Sequence, residues 1–287
     1  MERERWETVY RMLARWDHWG YRGRFSSAVI VAVYFWSVLH DRPVCWACHA
    51  KHWPPDIRLR ERLPSQATMS RRLRQLEVKI LLTAVAEQLR SQDDNSSVKV
   101  IDAKPLPVGG YSRDPDAHWG YAVRGFLKGY KLCVIWGTGP LPLCWCVGPM
   151  NLSESRVAER LVAQLVGEGY LLGDKAYDVN RLYEATQAVN HQLLTDRRRP
   201  RAGLGHRPHS PARLRAIALL QTRQGRRLYQ NRTSIERQFG GMTSFGGGLA
   251  PLPNWVRRQH RVELWVQAKM IINALRINNL HPLTATA

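Results

Sequence analysis

Val98-Lys99-Val100-Ile101-Asp102 is a β-branched run that closes on a carboxylate, and Gly169-Tyr170-Leu171-Leu172-Gly173-Asp174 is a short apolar run that closes on another. Runs of this length and composition, bounded by glycine or polar residues, read as buried strands. Between them, Lys131 to Trp136 and Leu143 to Val147 read as two more strands, joined through Gly137-Thr138-Gly139-Pro140 as a hairpin with a longer loop. Asn151 is expected to cap a helix running through Leu165, with Glu154 reaching back to it. Further on, Ser210-Pro211 opens a helix over 212–221. Another helix, Arg226 to Phe239, is expected to stop at Gly240-Gly241. Strands first and helices after define an α/β or α+β sheet domain.

That last helix carries a third carboxylate. Tyr229, Arg232 and Glu236 are spaced by three and four residues, so a continuous helix puts them on one face. Ile235 and Phe239, also four apart, give it an apolar edge to pack on a sheet. A lone Asp at a strand end is usually a cap or turn residue. Three carboxylates on rigid elements are different, because a hard divalent cation needs converging oxygen ligands.

Outward from these segments, the 287-residue chain carries a formal net charge of +20, from 43 basic against 23 acidic residues, which calls for a polyanionic partner. Nucleic acid is the first candidate and an anionic membrane the second. The stretch from Arg197 to Ile235 holds 11 Arg and no acidic residue, and it lies between the second and third carboxylates. Contacts to a phosphate backbone explain such a tract, with strong salt dependence to follow; a solvated loop over 197–209 is the alternative. An apolar content of 44% argues against wholesale disorder, and the length suffices to bury roughly three-quarters of the unfolded surface. Five cysteines exclude a complete disulfide framework. The longest apolar run, Phe25 to Leu39, is too short and too rich in Ser to span a membrane, so it reads as a buried helix. No segment reads as a signal peptide, so a reduced, cytoplasmic setting is expected.

Residues 1–92 look helical. Trp6, Val9, Tyr10, Leu13 and Trp16 fall at helical spacing. The segment 57–77 resembles a helix-turn-helix: Ser65 can cap a helix with Met69, Leu73 and Leu76 inward, leaving Arg71, Arg72 and Arg74 for DNA. A solvated helix face is the alternative. Ser91 to Ser97 reads as a polar linker and places a domain boundary there. Cys45-Trp46-Ala47-Cys48-His49 matches the spacing of haem attachment, a chemistry that requires export. Zinc held by Cys45, Cys48, His49 or His52 is a second reading, and a Trp/Cys-rich loop is the simplest. Cys133, Cys144 and Cys146 read as small apolar residues of the hairpin strands. Trp255 and Trp265 are expected in a last amphipathic helix, 255–275.

Val100-Ile101-Asp102-Ala103, Leu172-Gly173-Asp174-Lys175-Ala176-Tyr177-Asp178 and Arg232-Thr233-Ser234-Ile235-Glu236-Arg237-Gln238-Phe239 together resemble the three catalytic blocks of bacterial insertion-sequence transposases of the DDE class. Tyr229, Arg232 and Glu236 match the Tyr-x2-Arg-x3-Glu signature of one branch, and Gly129-Tyr130-Lys131-Leu132 is similar to its second strand. Two positions depart: Thr243 stands where the signature has Lys, and Cys133 where His is frequent. The resemblance implies an α/β fold with an RNase H-like mixed sheet flanked by helices over 98–277, preceded by an all-α DNA-binding region over 1–92 and followed by a tail, 278–287. It implies that Asp102, Asp174 and Glu236 are catalytic and hold two Mg²⁺ or Mn²⁺ ions about 4 Å apart. Cleavage at the element ends, strand transfer into target DNA and a homodimer pairing two terminal inverted repeats follow from the same resemblance. Tyr229 and Arg232 would position the scissile strand, and Lys175, Arg237, Arg197, Arg198 and Arg199 join the expected DNA-binding set. A nuclease of the same fold without strand transfer, and a DNA-binding protein with a decayed site, are the rival readings. Asp178 and Asp196 are rival carboxylates, Asp178 being expected as a helix cap.

Overall fold

The computed structural model describes residues 2–15, 24–90, 96–122, 125–206, 208–244, 249 and 252–280. Two compact units result: one combines Met1–Arg90, Met242–Leu249 and Pro253–Ala287, and the other Ser91–Gly241 with Ala250–Leu252.

The first unit is helical. It contains α1 (Glu2–Ala14), α2 (Ser27–Leu39), α3 (Val44–Ala47), α4 (Gln66–Arg72) and α5 (Leu76–Leu89). α2 is buried on all sides, as an apolar helix must be in a bundle, and Ser26 caps it by accepting the Val29 N–H. Trp6, Val9 and Leu13 form the inward face of α1, Tyr10 stacks on Trp6 near the surface, and Trp16 lies outside the described residues. The Trp-rich loop is a packed cap in which each buried indole N–H finds a carbonyl: Trp6 to Ala32, Trp36 to His52 and Trp53 to Ala47, at 2.7–2.9 Å. Cys48 donates to the Val44 carbonyl and His52 stacks on Trp46, so these side chains serve the packing of the loop.

Ser65 caps α4 as expected, and Met69 and Leu73 are buried. Two details of the helix-turn-helix reading are corrected. Leu76 is 69% exposed. Arg72 is 1% exposed and donates to the Ser27 hydroxyl at 2.8 Å, because α4 packs on α2 through that side. Arg72 is therefore no DNA contact; Arg71 and Arg74 remain exposed.

The second unit is built on β1 (Val98–Pro107), β2 (His118–Ala122), β3 (Gly125–Trp136), β4 (Cys144–Pro149), β5 (Gly169–Gly173) and β6 (His191–Thr195). β3 pairs antiparallel with β1, and its opposite edge takes β2 along its first half and β4 along its second. β5 and β6 add to β1 in parallel. The order β4-β3-β1-β5-β6, three antiparallel strands followed by two parallel ones, is RNase H-like, with the β2 arm added. β3 is buried continuously from Gly129 to Trp136, as a strand covered on both faces must be. Trp136 pins the hairpin loop by donating to Gly139. Cys133 and Cys146 are register partners on β3 and β4, both free thiols, and Cys133 and Cys144 are buried. At the far end of β3, Trp119, Tyr121 and Phe126 pack into an exposed aromatic face.

Neither β2 nor β6 was anticipated, and β3 extends further toward its start than expected. Glycine is required at two strand positions. A Cβ at Gly129 would stand 2.3 Å from the Leu106 carbonyl oxygen. At Gly169, φ is +136° and a Cβ would lie 2.1 Å from the Ser97 oxygen, where the chain enters β1.

The helices of this unit are α6 (Glu154–Val162), α7 (Asn180–Ala188), α8 (Pro211–Gln221), α9 (Arg223–Gln230) and α10 (Ser234–Ser244). α6 starts after Ser153, not Asn151, and no side-chain cap forms. Glu154 does not reach back, because its carboxylate is held by Lys131 Nζ at 2.6 Å. The helix expected over 226–239 is two helices joined by a 3-10 turn at Asn231–Thr233, and α10 continues through Gly240 and Gly241 to Ser244. Mid-helix glycine costs about 1 kcal/mol, which packing of Ile235 and Phe239 can offset.

α11 (Gln259–Leu280) starts after Trp255, which is outside it and 39% exposed. By its contacts it groups with the helical unit, although the catalytic domain was expected to extend over 98–277. The link is explicit: Lys269 reaches the Val38 carbonyl at the end of α2 and the carboxylate of Asp41 at 3.2 and 3.0 Å. No described helix is long and apolar enough to cross a membrane.

Candidate active site

Two aspartates meet through register: Asp102 in the middle of β1, which runs on to Pro107 instead of closing at the carboxylate as expected, and Asp174 just past the end of β5. Val100 of β1 pairs with Leu172 of β5, and Asp102 and Asp174 each lie two residues beyond that pair. Parallel neighbours about 4.8 Å apart bring such positions together where the pairing of β1 with β5 ends, at the carboxyl end of β5. Each carboxylate is oriented by one backbone donor. The Ala103 N–H bonds Asp102 Oδ1 at 2.8 Å, and the Ala176 N–H bonds Asp174 Oδ1 at 2.7 Å as Asp174 caps the turn Lys175–Tyr177. Among the described residues the second oxygen of each has no hydrogen-bond partner.

Burial pushes the Asp102 carboxyl up to about 6. The Ala103 N–H and Arg232 oppose that rise, while the nearby charges of Asp174 and Glu154 add to it. The site is thus an under-neutralised anionic cluster on the middle of β1 and the end of β5. Its donors are hard oxygens, so Asp102 and Asp174 fit a divalent cation of the Mg²⁺ or Mn²⁺ type.

The Tyr229/Arg232/Glu236 group is split by the 3-10 turn, and each residue goes its own way. The turn packs on β1 and β5, placing the Arg232 charge where Asp102 senses it. The Tyr229 hydroxyl donates to the Gly173 carbonyl at 2.9 Å and accepts from the Asp196 N–H at 3.3 Å. It bridges the ends of β5 and β6 next to Asp174. Burial pushes its ionisation up to about 12, with Asp196 adding to the shift. Glu236 is 61% exposed at its side chain and meets Arg232 only at 3.5 Å, a contact too long and too solvated to fix it. Among the described residues no three His, Cys, Asp or Glu side chains converge on one point. Asp102 and Asp174 are brought together; Glu236 stands exposed on the adjoining helix.

Glu154 and Lys131 are the residues that the sequence reading missed here. Glu154 opens α6 and Lys131 lies in the Gly-Tyr-Lys-Leu strand, yet nothing local announces that they pair beside Asp102. Asp178 is not a ligand candidate. Although burial pushes its carboxyl up, Arg213, the Arg198 N–H and Tyr183 hold it below the ordinary value, with Arg213 bidentate at 2.7 and 2.9 Å. Asp196 follows β6 and is exposed.

The basic tract divides likewise. Arg198 donates to the Lys175 and Ala176 carbonyls, and Arg197 to those of Pro200 and Ala202, so both guanidiniums hold the loop together. Lys175, Arg199, Arg201 and Arg237 are exposed.

Replacing Tyr229 by Phe removes both bonds that tie the strand ends to α9. The variant is expected to lose about 1–3 kcal/mol in urea unfolding, because the Gly173 carbonyl is left part-buried without its donor. DNA affinity should stay within twofold of the parent.

Neither a curated protein nor a solved structure matches the chain. The family model described as the transposase DDE domain matches residues 94–272, which take in the strand aspartates, Glu236 and most of α11. With more than half of its length matched and an RNase H-like sheet that presents two aspartates on adjacent parallel strands β1 and β5, the chain belongs to the transposase DDE domain family.

Proposed function

We propose that this chain is an insertion-sequence transposase that cuts DNA at the element ends and joins the freed 3′-hydroxyl to target DNA, with Asp102, Asp174 and Glu236 as its metal ligands. The observation that supports the reading is the pair Asp102–Asp174, each with one oxygen fixed by a backbone N–H and one left over. Mg²⁺ or Mn²⁺ bound there would lower the pKa of water and stabilise charge on the transferring phosphoryl group. The side chains of the protein do the rest. Asp102 and Asp174 supply the pre-oriented oxygens, and exposed Glu236 swings in from α10 to complete the set. Arg232 binds the scissile phosphate as a cation already close to Asp102. Tyr229 is a positioning residue that fixes the strand ends, and Lys131 holds Glu154 beside the site.

The test is a reaction on DNA carrying the element's own flanking ends, with Mg²⁺ or Mn²⁺ and with EDTA as control. Nicks at the ends together with joined products support the proposal. Nicks without joining would leave the nuclease reading, and binding without any cut would leave a DNA-binding protein with a decayed site.

Phosphate contacts by the basic tract are expected from its exposed members alone. Neutralising Arg199 and Arg201 should flatten the slope of log affinity against log salt by up to about two, since each phosphate contact on duplex DNA contributes about 0.9. Filter binding between low and moderate salt measures it.

A further inference from the structure

The helical unit holds a cavity of about 140 Å³ between α2, α4 and α11, with Tyr34, Trp255, Leu264 and Trp265 among its walls. A cavity of 150 Å³ in another protein holds one benzene ring, so this one has room for a single six-membered ring. Tyr34 is 6% exposed and lines the cavity. A phenolic hydroxyl in a cavity wall can donate or accept, and it offers a bonding group to whatever ring enters.

Three guanidiniums line the same cavity: Arg42, Arg74 and Arg261. All three residues are exposed, and among the described residues none has a salt bridge or a side-chain hydrogen bond. Arg261 is close enough to Tyr34 to pull against the rise that burial causes in its ionisation. Uncompensated cations around an aromatic hollow call for a ligand with a planar ring and an attached anion.

We infer that this cavity takes an unstacked pyrimidine nucleotide, its base between the aromatic walls and its phosphate on Arg42, Arg74 and Arg261. A purine is too large to enter fully. The nucleotide belongs to unpaired DNA, the polyanion on which transposases act, and a free nucleoside monophosphate is the other source of the same chemistry. The site lies wholly within the helical unit and is independent of the carboxylates and of any cleavage.

The experiment measures binding of the full chain, in EDTA, to a duplex with one bulged thymidine, to the same duplex with an abasic bulge, and to one with a bulged adenosine. EDTA keeps the result separate from the cleavage reading. The thymidine bulge should bind about tenfold tighter than the abasic one, the order supplied by one base stacked on an aromatic side chain. The adenosine bulge should fall between them. Trp255→Ala should erase the thymidine preference while leaving abasic binding intact, and Tyr34→Phe, which keeps the ring, should reduce it severalfold. Arg74→Gln with Arg261→Gln should weaken all the bulged duplexes. Thymidine monophosphate that displaces the bulged duplex at micromolar concentration assigns the site to free nucleotides, and displacement only at millimolar concentration assigns it to DNA. Equal affinity for thymidine and abasic bulges overturns the inference, as does a preference that survives in Trp255→Ala.

Discussion

Exchanging Asp102 for Asn is expected to suppress metal-dependent DNA nicking by about a thousandfold or more, the equivalent of roughly 4 kcal/mol of lost charge stabilisation. DNA affinity in EDTA should not change. Asn preserves the shape and can still accept the Ala103 N–H, so the loss isolates the charge from the fold. The same substitution has an opposite effect on stability. Burial raises the Asp102 carboxyl from 3.8 to about 6, so between those values the native state binds more protons than the unfolded one. Stability therefore falls as pH rises through that window, and at neutral pH the ionised carboxylate destabilises the metal-free fold by on the order of 1–3 kcal/mol. Asp102→Asn should consequently unfold at higher urea than the parent in EDTA at pH 7, and the gain should vanish near pH 4. Nicking that persists in the variant would remove Asp102 from the site, and an unchanged midpoint would show that its charge is not frustrated.

Arg213→Leu should destabilise the sheet domain strongly, by about 3–5 kcal/mol in urea unfolding at pH 7. Asp178 is 2% exposed at its side chain, and Arg213 neutralises it with two short bonds. Removing the cation strands a buried carboxylate and loosens the turn after Asp174, so nicking should fall as well. Here the pH dependence has the other sign. Arg213 and the Arg198 N–H outweigh burial and hold Asp178 below its unfolded pKa. The pair's contribution is complete above about pH 4 and is lost as pH falls through the lowered native value. The stability gap between Arg213→Leu and the parent should therefore narrow in acid. A gap that stays constant down to pH 2 would show that the pair contributes nothing through its charge.

The two strand aspartates were legible because a carboxylate that closes an apolar run is a local signal. Glu154 was misread as a capping residue because its partner, Lys131, comes from a strand 23 residues earlier. β6, with the sequence His191-Gln-Leu-Leu-Thr195, was passed over because five residues without alternation do not separate strand from helix. The end of α10 was misplaced because two glycines locally favour a stop, while Ile235 and Phe239 gain more from packing. Arg72 was assigned to DNA because charge suggests a surface, whereas the contact of α4 with α2 buries it against Ser27.

By itself the sequence determined the family, the order of strand, strand and helix carboxylates, the buried α2 and the basic balance that calls for DNA. The family rests on the resemblance of three motif blocks; the others rest on composition, period or termination, which neighbouring residues dictate. Only the tertiary structure decided that the Tyr229 hydroxyl is taken by two backbone groups, that Lys131 holds Glu154 beside Asp102, that Arg198 is a strut while Arg199 stays exposed, and that α11 groups with the helical unit. Those outcomes depend on which distant groups satisfy each other's hydrogen bonds and charges once water is excluded, and no local pattern encodes them.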